Sequence, residues 1–162
     1  MLWIARRVRK TRGAVLFRQP RIGYGGKPFV ILKFKTMSEH QPPDRFGQWL
    51  RATALDELPQ LINIFRGDMS FVGPRPLISS ELQGLDQAPE WKRRQSARPG
   101  LTGLAQLYSD KSPSLPERLR WDLAYLRDCS FLLDMRILAA SIRITLEGRW
   151  EKTGPKVSAG EV

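Results

Sequence analysis

Two adjacent carboxylates, Asp56 and Glu57, carry the strongest chemical signal in this 162-residue chain. Adjacent carboxylates raise one another's pKa and can share a metal ion. Arg51 stands five residues before them, and the rigid run Gly73-Pro74-Arg75-Pro76 presents a second guanidinium after them. Arginines at those places suit a phosphorylated substrate, because the planar guanidinium binds phosphate oxygens in pairs. Few purely structural needs ask for all of these groups together.

The elements that position them follow from periodicity. Leu58, Leu61, Ile62 and Phe65 fall at helical spacing, which predicts a short amphipathic helix through about residue 66 with Gly67 as its stop. Pro59 fits only in the first turn of that helix, where a missing N–H is harmless. Asp56 is then expected at or near the N-cap, with Glu57 just inside. The plain alternative is that Asp56 caps the helix and Glu57 complements its dipole. The flanking arginines tip the balance toward chemistry.

Phe29 to Thr36 reads as a strand, with Lys33 and Lys35 on one face and Val30, Leu32 and Phe34 on the other. Ala14–Phe17 reads as its partner. Gly23-Tyr24-Gly25-Gly26-Lys27 between them is a turn; its spacing is not GxxxxGK[ST], and Pro28 follows instead of a helix. Residues 38–45 read as a polar loop and Phe46–Thr53 as a short helix. Ser79–Ser96 reads as helical with a break near Pro89, and Leu115–Arg127 and Phe131–Leu146 as helices. The last of these carries Phe131, Leu132, Met135, Leu138, Ile142 and Leu146 with Arg136 and Arg143 between them. That pattern suits an interfacial helix or a core-packing one. The expected fold is a compact, helix-dominated α/β single domain with a small sheet or hairpin and interfacial amphipathic helices. Residues 1–147 form the domain, and 148–162 are expected to be a flexible tail.

Composition narrows the partners. The formal net charge is +11 and the pI about 10.5, so an anionic partner is expected. No helix-turn-helix, zinc or RNA-binding signature stands out, so nucleic acid is not expected; headgroups and nucleotide phosphates explain the charge equally well. The chain has one cysteine, Cys129, and one histidine, His40. These counts exclude a disulfide framework and a Cys/His zinc site.

The residues together resemble a known family. Leu55-Asp56-Glu57-Leu58-Pro59-Gln60-Leu61, then Asn63, then Gly67-Asp68-Met69-Ser70-Phe71-Val72-Gly73-Pro74-Arg75-Pro76 are similar to the core of the bacterial sugar transferases, the monotopic polyprenyl-phosphate phosphoglycosyl transferases. Phe17-Arg18-Gln19, Arg21-Ile22-Gly23 and Lys33-Phe34-Lys35-Thr36-Met37 match upstream. Downstream, Arg98-Pro99-Gly100-Leu101-Thr102-Gly103-Leu104-Ala105-Gln106, then Asp122, Tyr125 and Leu133-Asp134-Met135-Arg136-Ile137-Leu138 match.

The resemblance implies transfer of a sugar-1-phosphate from a UDP-sugar to polyprenyl (undecaprenyl) phosphate, with release of UMP. It implies Asp56 as nucleophile through a covalent phosphosugar intermediate, Glu57 beside it, and Mg²⁺ as cofactor with Asp56 as its ligand. Lys33, Arg51 and Arg75 match basic positions near the family's active site, and Asp122 an acidic one. Arg98, which also precedes a proline, is a further phosphate-binding candidate. Prolines on both sides of Arg75 restrict its backbone, so its guanidinium is presented at little ordering cost. The implied products initiate exopolysaccharide, capsule, O-antigen or glycoprotein glycan synthesis.

The implied location is the cytoplasmic face of the bacterial inner membrane, with an anionic membrane surface as partner; a homodimer is compatible with the resemblance. No apolar run reaches the roughly 20 residues a spanning helix needs. Residues 1–12, with Trp3 ahead of Arg6, Arg7, Arg9, Lys10 and Arg12, resemble only the end of the family's membrane helix. A truncated, inactive remnant is therefore the alternative, with a basic nucleic-acid-binding module behind it. The stretch between Met37 and Phe46 is also shorter than in the family. Ser109-Asp110 stands near where the family usually has Gly-Arg, so a substrate-contacting arginine is expected to be missing there.

Overall fold

The computed structural model describes residues 1–38, 41–82, 88–110, 114–158 and 160–162. Helix α1 (Leu2–Arg12) turns Ile4 and Val8, four residues apart, inward against Phe34 and Leu50. Its last turn carries Arg9, Lys10 and Arg12, which complement the helix dipole. Strands β1 (Leu16–Ile22) and β2 (Pro28–Phe34) form an antiparallel hairpin with Lys33 opposite Phe17 and Ile22 opposite Pro28. β1 runs past the expected end at Phe17 and includes Pro20, which is tolerated because a two-stranded sheet has only edge strands.

Helix α2 (Arg45–Ala52) starts where the Asp44 carboxylate accepts the Gly47 N–H at 2.7 Å. Ala54 then takes a left-handed conformation, with φ 52°. That reversal sets Leu55–Glu57 into a separate 3-10 turn, and helix α3 (Gln60–Phe65) begins only after Pro59. Asp56 is therefore not the N-cap expected from the pattern. Pro59 has no N–H to give, so the α-helical ladder opens at Gln60, while Asp56 and Glu57 belong to the tighter turn before it.

Strand β3 (Ser70–Val72) pairs in parallel with β4 (Gly100–Thr102), Ser70 opposite Gly100 and Val72 opposite Thr102. The Gly73 and Gly100 backbones touch so closely that a Cβ on Gly100 would lie 2.1 Å from the Gly73 nitrogen. Between these strands the expected 79–96 helix is two short pieces, a 3-10 turn at Ser79–Leu82 and α4 (Pro89–Arg94). Residues 83–87 of that expectation, and His40 of the polar loop, lie outside the described residues.

Helix α5 (Leu104–Tyr108) leads to α6 (Leu115–Asp128) and α7 (Phe131–Glu147), capped by the hydroxyls of Ser114 and Ser130. α7 buries Ile137, Ser141 and Ile144 and exposes Phe131, Leu132, Ile142 and Leu146. One stripe of this helix packs in the core, and the other leaves large apolar groups outside. The core here joins Val72, Leu104, Leu107, Tyr125, Ile137 and Ile144 with Val157. The described residues 149–158 and 160–162 lack helix and strand, yet part of the stretch expected as a loose tail lies against this core. Val157 is only 6 % exposed, the Lys156 N–H donates to the Leu107 carbonyl at 2.8 Å, and Arg143 pairs with Glu161.

Candidate active site

The 3-10 turn after Ala54 places Asp56 and Glu57 against β2. Asn63 ties that side of the site together. It is fully buried, accepts the Leu32 N–H at 3.1 Å and donates to the Val30 carbonyl at 2.8 Å and the Asp68 carboxylate at 3.2 Å. This fixes α3 on β2, and so fixes where Lys33 stands relative to the acidic pair.

The two carboxylates have different environments. Glu57 receives the Lys33 ammonium at 2.5 Å and lies 3.9 Å from the Arg75 guanidinium. Burial pushes Glu57 up, but Lys33 and Arg75 outweigh it and hold its pKa below the ordinary value. Asp56 is 8 % exposed, and among the described residues its carboxylate makes no ion pair and no hydrogen bond with another side chain. Burial and the neighbouring Glu57 charge push its pKa up to about 6, against the opposing pull of Lys33 and Arg51. One member of the dyad is committed to cations, and among the described residues the other is not.

Beside Glu57 lies a shallow cleft lined by Arg21, Lys33, Glu57, Gln60 and Arg75, with Pro76, Gly100 and Leu101 at the β3–β4 junction. Three cationic side chains thus face one space. Arg21 lies in a run that resembles the family, but the sequence alone does not mark it as a site residue. It donates to the Pro76 carbonyl at 3.2 Å and to Gln19 Oε1 at 2.6 Å, and among the described residues its buried Nε has no acceptor. Burial, then Arg75, lowers its pKa, against the opposing pull of Glu81, 3.8 Å from its Nη1, and of Glu57.

The remaining candidates divide. Arg51 leaves α2 to donate to Thr36 Oγ1 at 3.0 Å, where its charge still acts on Asp56. Arg98 does not join the cluster: its side chain is exposed, while its carbonyl backs onto Gly73. Asp122 is 1 % exposed and pairs with Arg94, whose Nε lies 2.7 Å from Asp122 Oδ2. Arg94 was not singled out from sequence, and its only local signal was a place on the buried side of a basic run.

Among the described residues no three His, Cys, Asp or Glu side chains gather. Mg²⁺ needs only one or two protein carboxylates and completes its shell with water and substrate phosphates. Asp56, uncommitted and oxygen-bearing, fits as that ligand.

Comparison with known proteins now bears on this geometry. The model of the family described as "Bacterial sugar transferase" matches residues 1–148. The chain belongs to the bacterial sugar transferase family. This sugar transferase is 36 % identical over 148 residues to EpsL of Bacillus subtilis, an uncharacterized sugar transferase, covering 85 % of this chain and 72 % of EpsL. It is 40 % identical over 152 residues to the UDP-glucose:undecaprenyl-phosphate glucose-1-phosphate transferase of Caulobacter vibrioides, covering 82 % of this chain and 57 % of that protein. The protein of the same name from Klebsiella pneumoniae is 36 % identical over 162 residues, covering 88 % of this chain and 35 % of its own length. The sugar transferase described here thus spans 57 % and 35 % of the two relatives named for a reaction.

Proposed function

We propose that this chain transfers a sugar-1-phosphate from a UDP-sugar to a polyprenyl phosphate and releases UMP. The observation that carries the reading is the split dyad: Asp56 uncommitted with its pKa raised, and Glu57 held ionised by Lys33 beside a cleft that also gathers Arg21 and Arg75. The names of two relatives supply the reaction class, with UDP-glucose as donor and undecaprenyl phosphate as acceptor.

In this reading an Asp56 carboxylate oxygen attacks the phosphorus nearest the sugar. The bond from that phosphorus to the bridging oxygen breaks, and UMP leaves with the oxygen and the electron pair. A phosphate oxygen of the acceptor then attacks the same phosphorus and expels the Asp56 carboxylate. Two easier displacements replace one difficult one. Arg21, Lys33 and Arg75 stabilise charge on the transferring oxygens. Glu57 keeps two of those cations in place and is too tightly bound to Lys33 to compete as nucleophile. Mg²⁺, when held by Asp56 and the diphosphate, would neutralise charge on the leaving phosphate.

We place the chain on an anionic membrane surface, the cytoplasmic face of the inner membrane in the family reading. No helix among the described residues is long and apolar enough to cross a membrane. The support is α1, where the exposed Trp3 meets Phe46 edge-on at 5.7 Å, Phe46 stacks on Trp49 at 5.8 Å, and the exposed Arg7 lies over the Phe46 ring. An aromatic and basic surface of this kind suits headgroups.

The decisive assay is UMP release in detergent with Mg²⁺, undecaprenyl phosphate and a panel of UDP-sugars, beside Asp56→Asn. Release that is lost in the folded variant is expected, with UDP-glucose the first donor to try. Undiminished release by Asp56→Asn would remove the nucleophile assignment.

A further inference from the structure

The segment that carries Arg75 has an unusual backbone problem. Pro74 and Pro76 contribute no N–H, so Arg75 cannot be held in place by an ordinary strand ladder on its donor side. The carbonyls must do the work, and each of four successive carbonyls has its own donor. Pro74 accepts from the Gly100 N–H at 2.9 Å, and Leu77 from the Ile22 N–H at 2.9 Å. Between them the donors are side chains: Arg94 Nη2 donates to the Arg75 carbonyl, and Arg21 Nη1 to the Pro76 carbonyl at 3.2 Å.

Arg94 can serve this way only if its charge is balanced and its orientation fixed. It is 5 % exposed, and its Nε donates to Asp122, itself 1 % exposed, at 2.7 Å. Its guanidinium also lies 5.0 Å from the centre of the Trp91 ring. A buried carboxylate on α6 therefore orients a buried guanidinium on α4, which in turn grips the carbonyl of the residue whose side chain reaches Glu57. We propose that Arg94 and Asp122 are positioning residues for the transfer reaction, acting through the Arg75 backbone to set where the Arg75 guanidinium meets the substrate diphosphate.

This rests on the transferase reading, and a double-mutant cycle separates the two. UMP release is measured for the wild-type chain, Arg94→Lys, Arg75→Ala and the double variant, each checked for folding by thermal unfolding. Lysine keeps the charge and the pairing with Asp122 but cannot reach both partners in the guanidinium's fixed fork. The expected result is a loss in kcat/KM on the order of 10–100-fold for Arg94→Lys when Arg75 is present, as for a displaced catalytic group. In the Arg75→Ala background the same substitution is expected to cost less than about twofold. Equal losses in both backgrounds would overturn the proposal and leave the pair a purely structural one. Where Arg94→Lys does not fold, Asp122→Asn takes its place in the same cycle. If the wild-type chain releases no UMP, the reaction itself fails. The cycle is then read on the calorimetric affinity for inorganic pyrophosphate, where non-additivity supports the positioning role and additivity refutes it.

Discussion

At Asp56, burial and the Glu57 charge oppose ionisation while Lys33 and Arg51 favour it, and the balance leaves its pKa at about 6. A nucleophilic carboxylate must be ionised, and Mg²⁺ at Asp56 would favour that form, so the raised pKa is read on the metal-free fold rather than on UMP release. The same shift bears on stability. The folded-state pKa lies above the unfolded value of 3.8, so the folded chain binds the proton more tightly and loses stability as pH rises through about 6. Asp56→Asn removes that cost and is expected to stabilise the fold by about 2–3 kcal/mol above pH 7, from a shift of about two units at 1.36 kcal/mol each. The gain should vanish below about pH 4, where both states hold the proton, and urea unfolding at the two pH values checks it. That the dyad is the candidate for chemistry could be read from adjacency and flanking arginines. Which member stays uncommitted could not, because it depends on Lys33 arriving from a strand 24 residues earlier in the chain.

Among the elements, the β3–β4 junction brings the Gly73-Pro74-Arg75-Pro76 turn against the Arg98–Gln106 motif. The Gly73 N–H donates to the Thr102 carbonyl at 2.9 Å, and a Cβ on Gly103 would lie 2.3 Å from the Gly73 carbonyl oxygen. Backbone rather than side chain occupies that space, so little can yield. Gly100→Ala is expected to cost about 3 kcal/mol or more and to lower UMP release in whatever folds. Gly67→Ala, at φ 81° with nothing within 4 Å of its Cβ, should cost only the left-handed strain of about 1–2 kcal/mol. Urea midpoints rank the two, and an equal cost would mean that the junction is looser than its contacts indicate. The helices α2, α6 and α7 were legible because each has a polar cap and an apolar stripe. The 3-10 turn at the dyad was not, because it depends on a left-handed Ala54, a conformation that no local pattern announces for alanine.

Across the whole molecule, the net charge of +11 is spent unevenly. Arg21, Lys33 and Arg75 line the cleft and Arg94 pairs with Asp122, while Arg7 lies with the Trp3–Phe46–Trp49 surface. Trp150, Val157 and Val162 complete the core, although the small and charged composition around them gave no sign of it. Val157→Ala removes two carbons from a site 6 % exposed and is expected to cost about 2 kcal/mol through lost burial and a residual cavity. A change below about 0.5 kcal/mol in thermal or urea unfolding would show that the tail adds nothing to the fold.

The sequence by itself determined the adjacent carboxylates as candidates, the proline-flanked setting of Arg75, the hairpin, most helices and the family. Those features rest on local rules: helical and strand periodicity, the fixed φ of proline, and motifs read in order along the chain. Only the tertiary structure decided that Lys33 and Arg75 occupy Glu57 and leave Asp56 uncommitted, that Arg98 stays outside, and that Asp122 acts on Arg94 rather than on the dyad. Each of those depends on contacts between residues far apart in the chain. Burial there sets the cost of every unpaired charge, and with it which groups must meet.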